Sequence, residues 1–404
     1  MIVKEPRIAR LAVFATSLIL LVQAGLAATI NTRPLTSSRK SRTVNESQHA
    51  RRHMRHLARS RRVRSRTVTS LKRRHYYEHF YASSYSKDIT DGDATAGEDP
   101  VVRQAAIDAL GNMNGTVLAI EPTSGRILAM VNQKLALSSG AQPCSTIKVS
   151  VALAALSEGI ITKETEVRLG GRSHMNLTLA LAHSNNAYFE ALGRQLGFEK
   201  VAHYAHAYGL GELAGYHIQG EQAGVYPDEE IAAKLGGVGK MCSFGEGISM
   251  TPLQLGSLVT AIANGGTMYY LQHPTNAAEA ANFQPLVKRH LDIAGMIPEI
   301  SDGMAGAVNY GTARRLLANF NEEEVLGKTG TCSHAGTRFG WFASYANTNY
   351  GRVVVVVFLE GGRPTFGPKA AEIAGRMYRN LYDHDFFMAR PVPPAEIRKT
   401  SSSD

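Results

Sequence analysis

The chain has 404 residues, 44% of them hydrophobic, with 44 Lys+Arg against 34 Asp+Glu and a formal charge of +10. That charge is localised: residues 33–74 hold fifteen Lys/Arg and one acid, Glu46, a local +14, while the 330 residues 75–404 hold 26 bases and 32 acids, a balance of −6. A mildly acidic body excludes a nucleic-acid binder, whose basic footprint would lie on the folded part, and its length and apolar content exclude disorder throughout.

In chain order, residues 1–28 read as a secretory signal. Lys4, Arg7 and Arg10 precede an apolar core from Leu11 to Val22, and small residues follow at Ala24, Gly25, Ala27 and Ala28. The competing reading is an uncleaved anchor, since Leu11 to Ile30 is twenty residues, just long enough to span a bilayer. Both readings export the rest of the chain, to the periplasm or the outer face of the cytoplasmic membrane. Residues 29–99 read as a basic disordered tether, because the run from Arg51 to Arg74 has few large apolar groups to offset the entropy of folding. It is either a solvated linker or, through residues 33–74, a segment that binds anionic lipid headgroups or acidic wall polymers. The folded part is expected over 100–388 and a disordered tail over 389–404. Thr116–Ile120 and Arg126–Val131 flank Pro122-Thr123-Ser124-Gly125, which predicts a β-hairpin. Ser145–Glu158 predicts a helix stopped by Gly159, and residues 176–265 are largely helical in pattern. Strand signals return at Leu326–Ser333, Phe339–Ala346 and Val353–Leu359, the last apolar enough to be buried on both faces, and Ala370–Leu381 predicts a closing helix. The expected fold is of α+β type: a five-stranded antiparallel sheet flanked by helices, with a helical subdomain inserted between its N- and C-terminal strands.

Three short motifs occur in order: Ser145-Thr146-Ile147-Lys148, Ser184-Asn185-Asn186 and Lys328-Thr329-Gly330-Thr331. Ser-x-x-Lys alone is weak, since it also occurs at Ser37 and Ser84; only Ser145 opens an amphipathic helix, with Lys148 one turn on. A serine hydroxyl needs a base within hydrogen-bond reach, and a lysine serves once burial or a neighbouring cation, here Lys328, lowers its pKa. The backbone N–H groups of Ser145 and Thr331 are candidate oxyanion donors, and the hydroxyls of Thr329 and Thr331 are candidates for a substrate carboxylate. Ser184 is read as the proton relay to the leaving group, Asn186 as a partner of the substrate amide, and Gly330 as the residue that permits close approach to the strand. The plain alternatives are an N-cap serine at 145, a surface lysine at 148 and an ordinary loop at 184–186. The fourteen histidines show no metal-type spacing, and neither a metal nor another cofactor is expected.

With these residues in order, the chain resembles the transpeptidase domain of penicillin-binding proteins over about 101–384. Gln142-Pro143-Cys144-Ser145, Tyr208-Gly209-Leu210-Gly211, Gly245 through Leu255, Ala263-Asn264-Gly265-Gly266, Gly311-Thr312-Ala313 and Trp341-Phe342 are similar to family landmarks in the same order. The resemblance implies a D-Ala-D-Ala stem peptide of peptidoglycan as substrate, an acyl-enzyme on Ser145, and β-lactams as inhibitors. Glu246 departs from the glutamine usual there, and about 40 residues between the end of the basic run at Arg74 and Gly115 leave no room for a pedestal or glycosyltransferase domain.

Cys144 and Cys332 are placed like the active-site disulfide of certain serine carbapenemases, which implies a Cys144–Cys332 bridge with Cys242 left as a free thiol; three buried free cysteines are the alternative. Two rival functions share the chemistry. A β-lactamase must hydrolyse its acyl-enzyme quickly, and the single Glu-x-x-Asn tetrad, Glu279–Asn282, falls in the wrong order for the class that uses such a base. A penicillin sensor or wall-scaffolding module would acylate without turnover.

Overall fold

The computed structural model describes residues 78–348 and 351–388. The expected signal at 1–28, the basic run at 33–74 and the tail at 389–404 lie outside the described residues. Among the described residues no helix is long and apolar enough to cross a membrane.

The folded part begins earlier than the residue 100 expected from composition. Residues 78–99 are poor in apolar groups, yet they pack through polar ones. Ser84 is buried, and its hydroxyl accepts the N–H of Gly362. Arg103 pairs with Asp93 at 2.7 Å and Glu98 at 3.1 Å, both carboxylates all but fully buried. Asp93 also accepts the N–H groups of Asn132 and Gln133, and Glu98 that of Met130. Buried charge is tolerated here because each carboxylate is paired and hydrogen-bonded.

Asp99 then caps α1 (Pro100–Leu110), its carboxylate accepting the N–H of Val101 and Val102, with Pro100 in the first turn where no intrahelical N–H bond is due. β1 (Gly115–Glu121) and β2 (Arg126–Val131) form the expected hairpin. After α2 (Gln133–Ala136), a 3₁₀ turn over Cys144–Ile147 runs into α3 (Lys148–Ser157). A short hairpin of β3 (Val167–Gly170) and β4 (Ser173–Met175) leads to α4 (Leu177–Ala182), α5 (Asn186–Leu196) and α6 (Phe198–Ala207). Residues 209–232 are irregular rather than helical, since Gly209, Gly211 and Gly220 all adopt positive φ. Helices resume with α7 (Gly237–Phe244) and α8 (Pro252–Ala263), the latter opened by a capping box between Thr251 and Gln254. A second hairpin, β5 (Thr267–Tyr269) and β6 (Val287–His290), encloses α9 (Ala277–Ala281) and precedes α10 (Ile297–Asn309). The last strands, β7 (Glu324–His334), β8 (Thr337–Thr348) and β9 (Gly351–Gly361), run longer than their apolar cores suggest, and α11 (Gly367–Asp383) closes the fold.

Five strands form one antiparallel sheet in the order β2-β1-β9-β8-β7, so the first hairpin pairs with the last strand and the helical part is an insertion, as expected. The central strand β9 divides the interior in two. Val354, Val356 and Phe358 face the core shared with the helical part, while Val355, Val357 and Leu359 face the core under α1 and α11. β1 alternates likewise, with Leu118 and Ile120 on the first side and Val117 and Ala119 on the second. Leu118 is fully buried at this seam. Leu118→Ala is expected to lower unfolding free energy by about 2–5 kcal/mol in urea titrations, the range for a large-to-small change in a core that cannot collapse around the void.

Candidate active site

Ser145 sits inside the 3₁₀ turn rather than at the N-cap of an α-helix, and α3 begins only at Lys148. The tighter winding eclipses positions i and i+3. Lys148 Nζ accordingly stands 3.0 Å from Ser145 Oγ. The turn opens at Cys144 with φ 53°, a left-handed conformation uncommon for a residue with a side chain. Ser184 shares this feature at φ 55°. It lies between α4 and α5, where Asn185 caps α5 by accepting the N–H of Tyr188 and Ser184 N donates to Leu181 O. Such strain is held by the surrounding structure and recurs at functional sites.

Lys148 is fully buried, and its Nζ lies 2.8 Å from Ser184 O, 3.1 Å from Ser184 Oγ and 2.6 Å from Asn186 Oδ1. The two carbonyl oxygens can only accept. A neutral amine has two N–H donors and one lone pair, so those carbonyls take both hydrogens and leave the lone pair for a serine hydroxyl. Burial lowers the Lys148 pKa to about 7, against the opposing pull of Glu190 on α5. Lys328, also buried, stands on β7 with Nζ 2.7 Å from Ser184 Oγ and 3.0 Å from Thr329 O. Its pKa is pushed well down by burial first and by the charge of Lys148 second. Of the two causes the sequence allows, burial or a neighbouring cation, burial is the larger for both amines.

β7 is one of the two edge strands of the sheet, and its two faces divide the remaining candidates. Lys328, Gly330 and Cys332 face the side occupied by Ser184 and by the turn that carries Ser145. A Cβ on Gly330 would meet Pro143 O at 2.8 Å and Thr146 Cγ2 at 3.2 Å, so glycine sets how near strand and turn can come. Cys332 is bonded to Cys144 with their Cα atoms 5.5 Å apart, and Cys242 is a buried free thiol whose pKa burial raises to about 12. Thr329 and Thr331 alternate onto the other face. The Thr329 hydroxyl shares a 2.6 Å hydrogen bond with that of Thr312, and Thr331 Oγ1 accepts the N–H of Gly367 at 2.7 Å, keeping its own hydrogen to donate. Asn186 is likewise half engaged: its oxygen is held by Lys148, which leaves its N–H groups for a ligand carbonyl.

Several positioning residues escape a reading of the motifs alone. Gln142 O accepts the indole N–H of Trp341 at 3.0 Å, and Gln142 Nε2 donates to Phe244 O at 3.0 Å and to Glu246 Oε2 at 3.1 Å. Glu246 thus anchors the approach to Ser145. Trp341 is buried and stacked on Phe358, with centroids 4.0 Å apart. Thr312, on the Gly311-Thr312-Ala313 turn, holds Thr329 in place. The lone tryptophan and that turn are the sequence signals that mark these contacts.

A serine hydroxyl within reach of a dry lysine, a second serine shared with another dry lysine, and a glycine-bearing edge strand define a serine–lysine site on an α+β scaffold. Residues 115–382 match the family model described as the penicillin binding protein transpeptidase domain, and the chain belongs to that family. The chain is 27% identical over 316 residues to stage V sporulation protein D of Bacillus subtilis, covering 65% of this chain and 48% of that one. It is 23% identical over 379 residues to the peptidoglycan D,D-transpeptidase MrdA of Haemophilus influenzae, covering 74% and 56%. The chain thus spans about half the length of the curated relatives it matches. Among solved structures, it superposes on the imipenem acyl-enzyme complex of penicillin-binding protein A from M. tuberculosis with a TM-score of 0.59 at 21% identity, covering 70% of this chain and 78% of that one.

Gly330→Ala tests the contact between strand and turn. It is expected to destabilise the protein by about 1–3 kcal/mol, as overpacking does, and to slow labelling of Ser145 by a fluorescent penicillin at least about tenfold, measured on samples whose circular dichroism matches the wild type.

Proposed function

We propose that the chain is an exported serine acyl-transferase that opens the terminal D-Ala-D-Ala bond of peptidoglycan stem peptides, acting as a D,D-transpeptidase or D,D-carboxypeptidase. The observation that carries this reading is the placement of Lys148 Nζ between Ser145 Oγ and Ser184 Oγ with both its hydrogens engaged by carbonyls.

The steps follow from that arrangement. The Lys148 lone pair takes the Ser145 proton as Oγ attacks the carbonyl of the penultimate D-Ala, and the carbonyl π pair moves to oxygen. The N–H groups of Ser145 and Thr331 are the donors proposed for that oxyanion, one from the opening of a helical turn and the other from an edge strand. As the oxyanion collapses, the C–N bond breaks and the departing D-Ala nitrogen receives a proton from Ser184, which Lys148 replenishes. Lys328 holds Ser184 in this relay through its 2.7 Å bond to Oγ. Thr331 donates its hydroxyl to the substrate carboxylate, with Thr329 beside it, and Asn186 donates to the peptide carbonyl. The acyl-enzyme then passes to an acceptor amine, giving a cross-link, or to water, giving a trimmed peptide.

β-Lactams present a strained amide to the same hydroxyl and are read as inhibitors here, in keeping with the imipenem acyl-enzyme of the M. tuberculosis relative. Against rapid β-lactam hydrolysis by a glutamate base, the Glu279 carboxylate caps its own helix, accepting from Thr275 and Asn276. The basic segment 33–74 is proposed to hold the enzyme near anionic lipid or wall polymer.

Incubation with a fluorescent penicillin tests the reading: a stable label on the wild type and none on Ser145→Ala support it, no label on the wild type defeats it, and rapid release of label makes the protein a β-lactamase instead. The pH dependence tests the base. Acylation requires neutral Lys148, so its rate is expected to rise about tenfold per pH unit up to about 7 and then level off. Asn186→Asp places a carboxylate against Nζ, favours the ammonium and is expected to move that limb to higher pH in stopped-flow labelling.

A further inference from the structure

A second concavity, of about 1180 Å³, lies apart from the serine–lysine site, between the loop at 91–94, α2, the loop at 216–219 and the segment 272–284. Its volume exceeds that of a typical small-molecule site. None of the three catalytic motifs lines it.

The charges around this pocket are already answered. Asp93 is paired with Arg103, and Glu98, just behind it, accepts from Arg103, Met130 N and His273 Nε2. The Glu279 carboxylate accepts from the backbone N–H and hydroxyl of Thr275 and from the amide of Asn276. The exposed charged side chains on the lining are Asp91, Glu279 and Lys134, two acids and one base, with no cluster of either sign. Among the described residues no group of three or more His, Cys, Asp or Glu is placed to hold a metal ion. A strongly ionic ligand would therefore find no concentrated counter-charge here.

What the lining does supply is carboxamides and aromatic faces: Gln219, Gln272, Gln284 and Asn282, with Tyr216 and Phe283. Gln272 and Asn282 each give one N–H to a backbone carbonyl, of Gln284 and Ala278, which fixes their orientation while their side-chain oxygens stay available. A carboxamide presents a donor pair and an acceptor in one plane, which matches the vicinal hydroxyls and N-acetyl groups of a sugar. Tyr216 is 47% exposed yet held: its N–H donates to Leu271 O at 2.8 Å, and its ring meets that of Tyr270 edge-on at 5.7 Å. A rigid exposed ring offers the apolar face on which a pyranose packs its C–H groups, with little ordering entropy to lose. The floor is rigid too, since the buried Gln133 carboxamide bonds both the N–H and the C=O of Ala94.

We propose that this pocket binds an uncharged stretch of glycan strand from the polymer whose stem peptides Ser145 acylates, seating the sugar on Tyr216 and the surrounding carboxamides. The inference rests on the peptidoglycan reading above. A stem peptide is the weaker fit, because its carboxylates call for basic counter-charge and Lys134 is the one Lys or Arg on this lining. α2, which forms one wall, is followed within the same connection by Gln142 and the nucleophile turn, so a bound strand lies on the chain that delivers Ser145.

The test is calorimetric titration of the full-length protein with neutral glycan strands, oligomers of N-acetylglucosamine that carry no carboxylate, beside Tyr216→Ala and Gln219→Ala and beside free stem pentapeptide. The wild type is expected to bind the strands, and each variant to bind at least about tenfold more weakly while Ser145 takes fluorescent penicillin at the wild-type rate. Absence of strand binding, equal binding by the variants, or a pentapeptide that displaces the strands overturns the proposal. The penicillin label separates the two readings: labelled protein that ignores glycan sinks the pocket alone, whereas unlabelled wild type sinks the acyl-enzyme function.

Discussion

An ammonium group taken out of water carries a penalty of several kcal/mol unless it finds counter-charge or gives up its proton. Lys148 and Lys328 are 0% and 1% exposed, and the atoms that touch their Nζ groups are hydroxyls and carbonyls. Folding itself therefore drives these amines toward the neutral form, and a neutral lysine is what makes a serine hydroxyl reactive. The left-handed turn at Ser184, the 3₁₀ winding at Ser145 and the glycine on β7 all serve that burial. The first two bring hydroxyl or backbone carbonyl against an amine, and the glycine lets β7 approach the turn that carries Ser145.

The site lies on the seam between two architectures. β7 belongs to the sheet, whereas Ser145 and Ser184 belong to the inserted helical part, and direct bonds hold the two together. Trp341 ties β8 to Gln142, Thr312 ties the chain after α10 to Thr329, and the Cys144–Cys332 bridge joins the nucleophile turn to β7 across 188 residues. In the chain-entropy account a loop of that length stabilises by roughly 5 kcal/mol. The bridge also confines motion at the seam, where a displacement of one part against the other would lengthen the contacts among Lys148, Ser184 and Lys328.

Much of this was legible in the residues. Val353–Leu359 is a run that only a strand buried on both faces accommodates, and β9 divides two cores with it. The residues of the candidate site were legible because acyl transfer would constrain both their types and their spacing. The start of the folded part at 78–99 was not, because its order comes from polar groups whose partners, Met130, Asn132 and Gln133, become neighbours only once the hairpin forms. The helix at Pro100–Leu110 carried a start signal in Asp99-Pro100 but only a modest apolar stripe. The 3₁₀ winding at Ser145 was beyond pattern reading, since three-residue spacing fits both kinds of helix.

β7 has one more consequence. An outermost strand carries a row of backbone donors and acceptors with no neighbour in the sheet, and any extended chain can dock along such a row. Main-chain pairing of that sort is blind to side chains. Near the end of that row Thr331 keeps a hydroxyl hydrogen, and the Cys144–Cys332 bridge ties the strand to the turn that carries Ser145. An extended chain added to β7 would take its register from that end, since the backbone groups before it are alike.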